Sequence, residues 1–185
     1  FYINYAGGDD LVIIGPVYAI VQLAEEIHKE FKDYVNNDNI TISGGIYIQN
    51  PKKPVRFGIQ YADDALELSK QTKEKNSITI LDTTVSFSDY RDILEKVEKY
   101  RNYIANEKIS RTNFYRIMNY INDGSIEEYY EAIPKIQYSL YRNINDETIR
   151  LEVSKDLTTI RDSLYDLKKL VLMMKLTILF TREVK

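Results

Sequence analysis

The chain reads as an α+β fold in two parts, a sheet carrying helices over residues 1–87 and an all-α helical bundle over 88–185. Three observations predict this. Short strand-like runs alternate with helical periodicity in the first half, and after about residue 87 only helical periodicity remains. Clusters of Gly, Asn, Asp and Pro separate the runs of the first half. At 185 residues, 44% hydrophobic and 29% charged, the chain can build a core as one large domain or two small ones.

In chain order, Phe1–Tyr5 and Leu11–Gly15 read as two strands of a tight hairpin around Ala6-Gly7-Gly8-Asp9-Asp10. Pro16 suits the first turn of a helix. Ile20, Ala24, Ile27, Phe31 and Tyr34 give that helix an apolar face over about 17–35. Within it, His28 lies near Glu25 and Lys32 and reads as an exposed helix residue. Asn36–Asn39 is a turn, and Ile40, Ile42, Gly44, Ile46 and Ile48 alternate as a strand. Asn50–Pro54 is a loop. Phe57, Tyr61, Ala65 and Leu68 mark a second helix ending near Lys70, and Ser77–Leu81 a further strand. The first half is therefore ββαβαβ, an antiparallel-type sheet with helices packed on it.

Beyond Asp82–Ser88 no strand is expected. Ser88 can cap a helix with Asp89 and Asp92 placed for its dipole, and Ile93, Val97, Tyr100 and Ile104 form its seam. Ser110 can cap the next, with Phe114, Ile117, Met118 and Ile121 inward and Asn122-Asp123-Gly124 at its end. Pro134 opens a third helix around 134–143. Leu157, Ile160, Leu164, Leu167, Val171, Met174 and Ile178 hold an a/d repeat that reads as one long core helix.

Composition excludes several chemistries. Without cysteine there are no disulfides or thiolate metal sites, which fits a reducing cytoplasm. With a single histidine, Ser-His-Asp and multi-His zinc chemistry are set aside. A net charge of −3 gives no bulk basic field for nucleic acid, so nucleotide contacts need a local patch. The apolar run Leu170–Met174 stops at Lys175, short of the roughly 20 residues that span a bilayer, so no membrane partner is expected. The chain opens inside an expected strand, which suggests a fragment whose upstream partner lies elsewhere.

The chemistry concentrates at Gly7-Gly8-Asp9-Asp10. Glycine accepts positive φ and lets a ligand approach the backbone, and paired carboxylates suit Mg²⁺ or Mn²⁺ held together with substrate phosphates. Palm domains that transfer nucleotidyl groups use this layout, although turn chemistry alone selects the same residues. In Ile40–Ile46, small residues would let a base or ribose lie against the sheet, or would serve a tight helix-on-strand contact. Ala62-Asp63-Asp64-Ala65-Leu66 leads to Lys70, a cation at a helix end that can neutralise a triphosphate or complement the dipole. Lys52, Lys53 and Arg56 form a small basic loop.

The order G-G-D-D, helix, I-T-I-S-G-G-I, A-D-x-A-L-x-x-x-K, K-N-S-I resembles a GGDEF-type cyclase palm. Tyr5–Pro16, Asn39–Ser43 and Lys75–Thr79 more closely resemble the second palm domain of the large subunit of type III CRISPR effector complexes, the type III-A (Csm) branch. Pro134–Asn143 resembles part of the helical domain that follows this palm in that family. The resemblance implies a ferredoxin-like palm lacking its first strand and helix, and synthesis of cyclic oligoadenylate from ATP on target-RNA binding. It implies that Asp9 and Asp10 hold the catalytic metals, Gly7 and Gly8 admit the triphosphate, Ser43 lies near an adenine or ribose, and Lys70 is the phosphate-side cation. The implied partners are the remainder of the large subunit with its first palm, the other effector subunits, and guide and target RNA. Diguanylate cyclases carry D/E-E-F after the glycines and read guanine. Asp10 and Leu11 depart from that pattern. The alternatives are another nucleotide cyclase, or a non-catalytic palm scaffold with a subunit-binding helical tail. The fragment alone is expected to be inactive and to need its upstream strand to complete the sheet.

Overall fold

The computed structural model describes residues 1–121, 125–160 and 163–182. It divides into two compact units, Phe1–Asp92 and Ile93–Lys185. The first contains β1 (Tyr2–Gly7), β2 (Asp10–Ile14), α1 (Val17–Val35), β3 (Gly44–Ile46), α2 (Val55–Lys70), β4 (Ser77–Ile80), β5 (Thr83–Ser86) and the start of α3 (Phe87–Ala105). β1 and β2 form an antiparallel hairpin, and β3-β4-β5 form a separate three-stranded sheet.

This sheet differs from the expected one in three ways. β3 runs parallel to β4, pairing Gly44, Gly45 and Ile46 with Ile78, Thr79 and Ile80. A parallel neighbour needs a crossover, and α2 supplies it. The strand expected over Ile40–Ile48 shrinks to three residues, because β4 offers only a four-residue partner. β5, which was not expected, pairs antiparallel with β4 through a two-residue turn at Leu81-Asp82. Both turn residues have positive φ, 49° and 61°. That turn usually carries Asn-Gly or Asp-Gly, so no sequence signal announced it.

The core of the first unit lies between the three-stranded sheet and its helices. Ile78, Ile80, Val85, Phe87 and Tyr90 are buried there with Val21. The Tyr90 hydroxyl donates to the Val21 carbonyl at 2.9 Å. His28 is buried, contrary to the exposed reading. Its ring stacks on Phe87 at 4.0 Å and 7°, and its Nε2 lies 2.9 Å from Asn76 Oδ1. Tyr34, expected on the same apolar face, is 90% exposed. On α2 the seam is rotated from expectation. Phe57, Tyr61 and Leu68 are exposed, and the face that meets the sheet carries Ala62, Leu66 and Ser69. A chain of hydroxyls fixes that contact. Ser69 donates to the Gly44 carbonyl at 2.7 Å and lies 2.7 Å from Thr79, which lies 2.7 Å from Thr84.

The second unit holds the rest of α3, α4 (Arg111–Ile121), α5 (Ile126–Asn143), α6 (Glu147–Thr158) and α7 (Leu164–Phe180). α3 begins at Phe87, two residues earlier than a Ser88 cap allows. Ser86 caps it instead, accepting from the Asp89 amide at 3.0 Å and donating to the Asp89 carboxylate at 2.8 Å. Ser110 caps α4, accepting from the Asn113 amide at 3.3 Å. The expected stop at Asn122-Asp123-Gly124 lies outside the described residues. Pro134 is internal to α5, which starts earlier because Ser125 accepts from the Glu128 amide at 3.3 Å. The long final helix is two helices. Ser163 caps α7 through the Asp166 amide at 3.0 Å, and Thr159 ends α6. α7 is buried almost all round, from Leu167 through Phe180, as the central helix of its unit. Among the described residues, no helix is long and apolar enough to cross a membrane.

Candidate functional site

The hairpin tip is built by backbone rules. Gly7 pairs with Asp10, leaving Gly8-Asp9 as a two-residue loop. Gly8 has φ +62° and Asp9 does not share the positive region, which suits a turn with glycine at its first central position. A Cβ built on Gly8 would meet nothing within 4 Å, so the tip is open to ligand approach. Asp9 and Asp10 are both exposed.

A β-bulge at Asn4 separates the pairs Ile3–Ile13 and Tyr5–Val12. Opposed residues share a face, so Tyr5, Gly7, Asp10 and Val12 lie on one side, and Ile3, Ala6, Leu11 and Ile13 on the other. The bulge thereby keeps Ile3 off the carboxylate face. On that face the Tyr5 ring lies over Gly7. A Cβ at Gly7 would stand 2.7 Å from the Tyr5 hydroxyl. The sequence reading did not single out Tyr5, although i,i+2 spacing on a strand was its available signal.

Lys70 ends α2 with an exposed ammonium 2.8 Å from Glu67 Oε1. Its pKa is raised, chiefly by that hydrogen bond, and also by the carboxylates of Glu67, Asp10 and Asp63. Asp10 and Lys70 therefore lie within electrostatic reach, and Asp63 joins them from the same face of α2. Ser43 is engaged elsewhere. It donates to the Lys75 carbonyl at 2.8 Å, alongside Thr41 at 3.2 Å, so the two hydroxyls hold the 73–76 loop against the strand entrance. Lys75 itself has φ +47°.

The two glycines of β3 serve packing. A Cβ on Gly45 would come within 2.3 Å of the Ala62 carbonyl and the Leu66 amide nitrogen, so α2 can lie this close only over glycine. A Cβ on Gly44 would press on Ile78 at 3.2 Å. The tight helix-on-strand reading of this segment therefore accounts for its small residues. Among the described residues, no group of three His, Cys, Asp or Glu side chains is placed to hold a metal. Asp9 and Asp10 thus have no third carboxylate placed with them to share a metal among the described residues.

Residues 1–79 match the family model described as Cas10/Cmr2, second palm domain. The chain is similar to proteins named CRISPR system single-strand-specific deoxyribonuclease Cas10/Csm1 (subtype III-A). The relative from Methanocaldococcus jannaschii is 33% identical over 107 residues, covering 48% of this chain and 13% of the relative. That from Mycobacterium tuberculosis is 25% identical over 122 residues, covering 63% and 15%. That from Streptococcus thermophilus is 28% identical over 131 residues, covering 68% and 17%. The chain thus spans 13–17% of the length of these relatives, and at 68% of the chain the likeness reaches past residue 79. No solved structure matches. Over residues 1–79, with the Gly7-Gly8-Asp9-Asp10 hairpin at their head, the chain is thus similar to the Cas10/Cmr2 second palm domain family.

Proposed function

We propose that this chain is the second palm and following helical domain of a type III-A CRISPR effector large subunit, and that the intact subunit makes cyclic oligoadenylate from ATP when its complex binds target RNA. The observation that carries the reading is the open glycine turn presenting Asp9 and Asp10, with Lys70 in electrostatic reach of Asp10.

In this reading Asp9 and Asp10 hold Mg²⁺ or Mn²⁺. Exposed carboxylate oxygens suit such hard cations, which would supply activation of a ribose hydroxyl and neutralisation of phosphate charge. Gly7 and Gly8 let the triphosphate approach the backbone. Lys70 exchanges Glu67 for a phosphate oxygen. Ser43 has committed its proton to Lys75, so its oxygen is left to accept from an adenine amino group or a ribose hydroxyl. The ribose oxygen bonds to the α-phosphorus as the bond to pyrophosphate breaks.

The remainder of the large subunit supplies the rest: a further carboxylate, the facing palm, and a strand and helix that complete a ferredoxin-like sheet. β2 and β3 each pair on one edge only, and Phe1, Tyr2, Ile3 and Leu11 are exposed on the hairpin, which supports a strand being received there. The other effector subunits and the guide and target RNA are the remaining partners, in the cytoplasm.

The test uses the full-length subunit in its assembled complex, with ATP, Mn²⁺ or Mg²⁺ and target RNA, and mass spectrometry of the products. Cyclic oligoadenylate is expected from the wild type. Asp9→Ala/Asp10→Ala should lower it by about 100-fold or more, the scale of losing a preorganised electrostatic contact to the transition state. A folded, RNA-bound wild-type complex that makes no nucleotide product would assign this palm to scaffolding. A different cyclic nucleotide would assign it to another cyclase class.

A further inference from the structure

The helical unit carries a surface that the nucleotide site does not use. On α5, Tyr138 and Tyr141 are 63% and 69% exposed, the two most exposed large hydrophobic side chains of that unit among the described residues, with Leu151 of α6 next at 62%. Each has a guanidinium over its ring. Arg142 lies 5.7 Å from the Tyr138 centroid and donates to its hydroxyl at 3.3 Å. Arg150, from α6, lies 4.9 Å from the Tyr141 centroid and is steadied by a 3.3 Å bond to the Ile144 carbonyl. Lys135 stands one turn before Tyr138 on the same face.

The chemistry of the patch is selective. From Pro134 to Arg142 the exposed positions are Pro134, Lys135, Gln137, Tyr138, Tyr141 and Arg142, with no carboxylate and, apart from the Pro134 ring, no apolar aliphatic side chain among them. Among the described residues, Lys135, Arg142 and Arg150 form no ion pair. The nearest acids in sequence, Glu131 before the patch, Asp146 and Glu147 between Arg142 and Arg150, and Glu152 beyond Arg150, form no ion pair with these three cations. An apolar protein partner would want an aliphatic centre, and an acidic peptide would not need exposed rings. Flat π-faces interleaved with unpaired cations suit a ligand with both stackable rings and repeated negative charge. Cβ atoms three apart on a helix stand about 5–6 Å from each other, a spacing two neighbouring bases of an extended strand can follow.

We infer that the α5 face built by Lys135, Tyr138, Tyr141 and Arg142, with Arg150 from α6, binds single-stranded RNA, stacking bases on the two tyrosines and holding phosphates with the cations. This deepens the RNA partnership proposed above. It is tested without ATP, so failure of nucleotide synthesis and failure of RNA capture remain distinguishable.

The experiment uses the full-length large subunit and a single-stranded RNA oligonucleotide carrying 4-thiouridine, photocrosslinked and mapped by mass spectrometry, with affinity followed by fluorescence anisotropy. Crosslinks are expected in the peptide spanning residues 135–150. Tyr138→Leu/Tyr141→Leu should remove them and weaken binding about 10-fold or more, while Tyr138→Phe/Tyr141→Phe should retain both. Arg142→Gln should flatten the salt dependence by about 0.7 in the log–log slope. Both rings are exposed, so the leucine variant should melt with the wild type. Crosslinks lying wholly outside this peptide, or unchanged affinity in the folded leucine variant, would overturn the assignment. In a parallel run with the assembled complex, protection of the peptide by another protein subunit without RNA crosslinks would overturn the assignment and give the face to a protein partner.

Discussion

At the scale of single residues, two substitutions separate packing from chemistry. Gly45→Ala places a methyl group 2.3 Å from backbone atoms of α2, which cannot rotate away. Overpacking of this kind costs about 1–3 kcal/mol, and chemical denaturation of the Gly45→Ala chain should show it. His28 provides a pH signature. Burial lowers its pKa, against the opposing pull of the Asn76 bond and Glu25, with Arg91 and Lys32 adding to the lowering. Well above about pH 6.5 the ring is neutral whether folded or not, so it adds no pH dependence there. As pH falls below that value the unfolded chain takes up the proton first, and stability is lost down to the folded pKa. His28→Gln should flatten this part of the stability profile as pH falls from about 7, and an unchanged slope would remove His28 as its source. The residues of the hairpin tip were legible in the sequence because a two-residue turn is a local decision. The engagements of His28 and Ser43 were not, since each depends on a partner more than 30 positions away, Asn76 and Lys75.

At the scale of elements, the second unit is pinned by a polar network between α3 and α6. Lys99 bonds Glu152 at 2.9 Å and Asp156 at 2.6 Å, the Tyr100 hydroxyl donates to Asp156 at 2.7 Å, and the Tyr103 hydroxyl donates to Glu152 at 2.7 Å. Burial alone would raise the Asp156 pKa, but the bonds from Lys99 and Tyr100 outweigh it and hold the carboxyl below its ordinary value. Its contribution is therefore present above about pH 4 and lost as pH falls through the lower folded value. Asp156→Ala leaves the buried Tyr100 hydroxyl without its acceptor and should cost about 1–3 kcal/mol, read as a lower denaturation midpoint with unchanged slope. Helical periodicity located the helices, and it also concealed a break. Leu157, Leu164, Leu167 and Val171 keep heptad spacing across the junction, so the capping serine at Ser163 was the sole local sign that α6 and α7 are separate. β5 was missed for the complementary reason, as a short Thr-Thr-Val-Ser run behind a turn lacking glycine.

At the scale of the whole molecule, charge is divided between the units. Residues 1–92 hold 14 acidic and 9 basic side chains, and residues 93–185 hold 14 and 16. The modest overall charge therefore combines an acidic unit, where metal ions would gather, and a mildly basic one, where a polyanion would meet less repulsion. The hairpin should be the least protected part of the isolated chain in amide exchange, because β1 and β2 bond only to each other and expose apolar side chains. In the full-length subunit the same amides should become protected, and equal exchange in both would sink the strand-completion proposal. The isolated chain should also show no turnover of ATP.

The buried tyrosines carry an optical consequence. With 16 tyrosines and no tryptophan, the near-ultraviolet absorption of this protein is almost wholly phenolic. Tyr90 and Tyr100 are sealed from solvent, and burial raises both pKa values far beyond the alkaline range, while Tyr129 is pushed up to about 12. At the other extreme, hydrogen bonds from Arg111 and Arg182 lower the pKa of Tyr115. Alkaline titration should therefore be staggered, with Tyr115 leading the accessible phenols at 295 nm. The sealed rings should colour only in the step where ellipticity collapses, so the lag between the two absorbance phases dates the opening of each core from within.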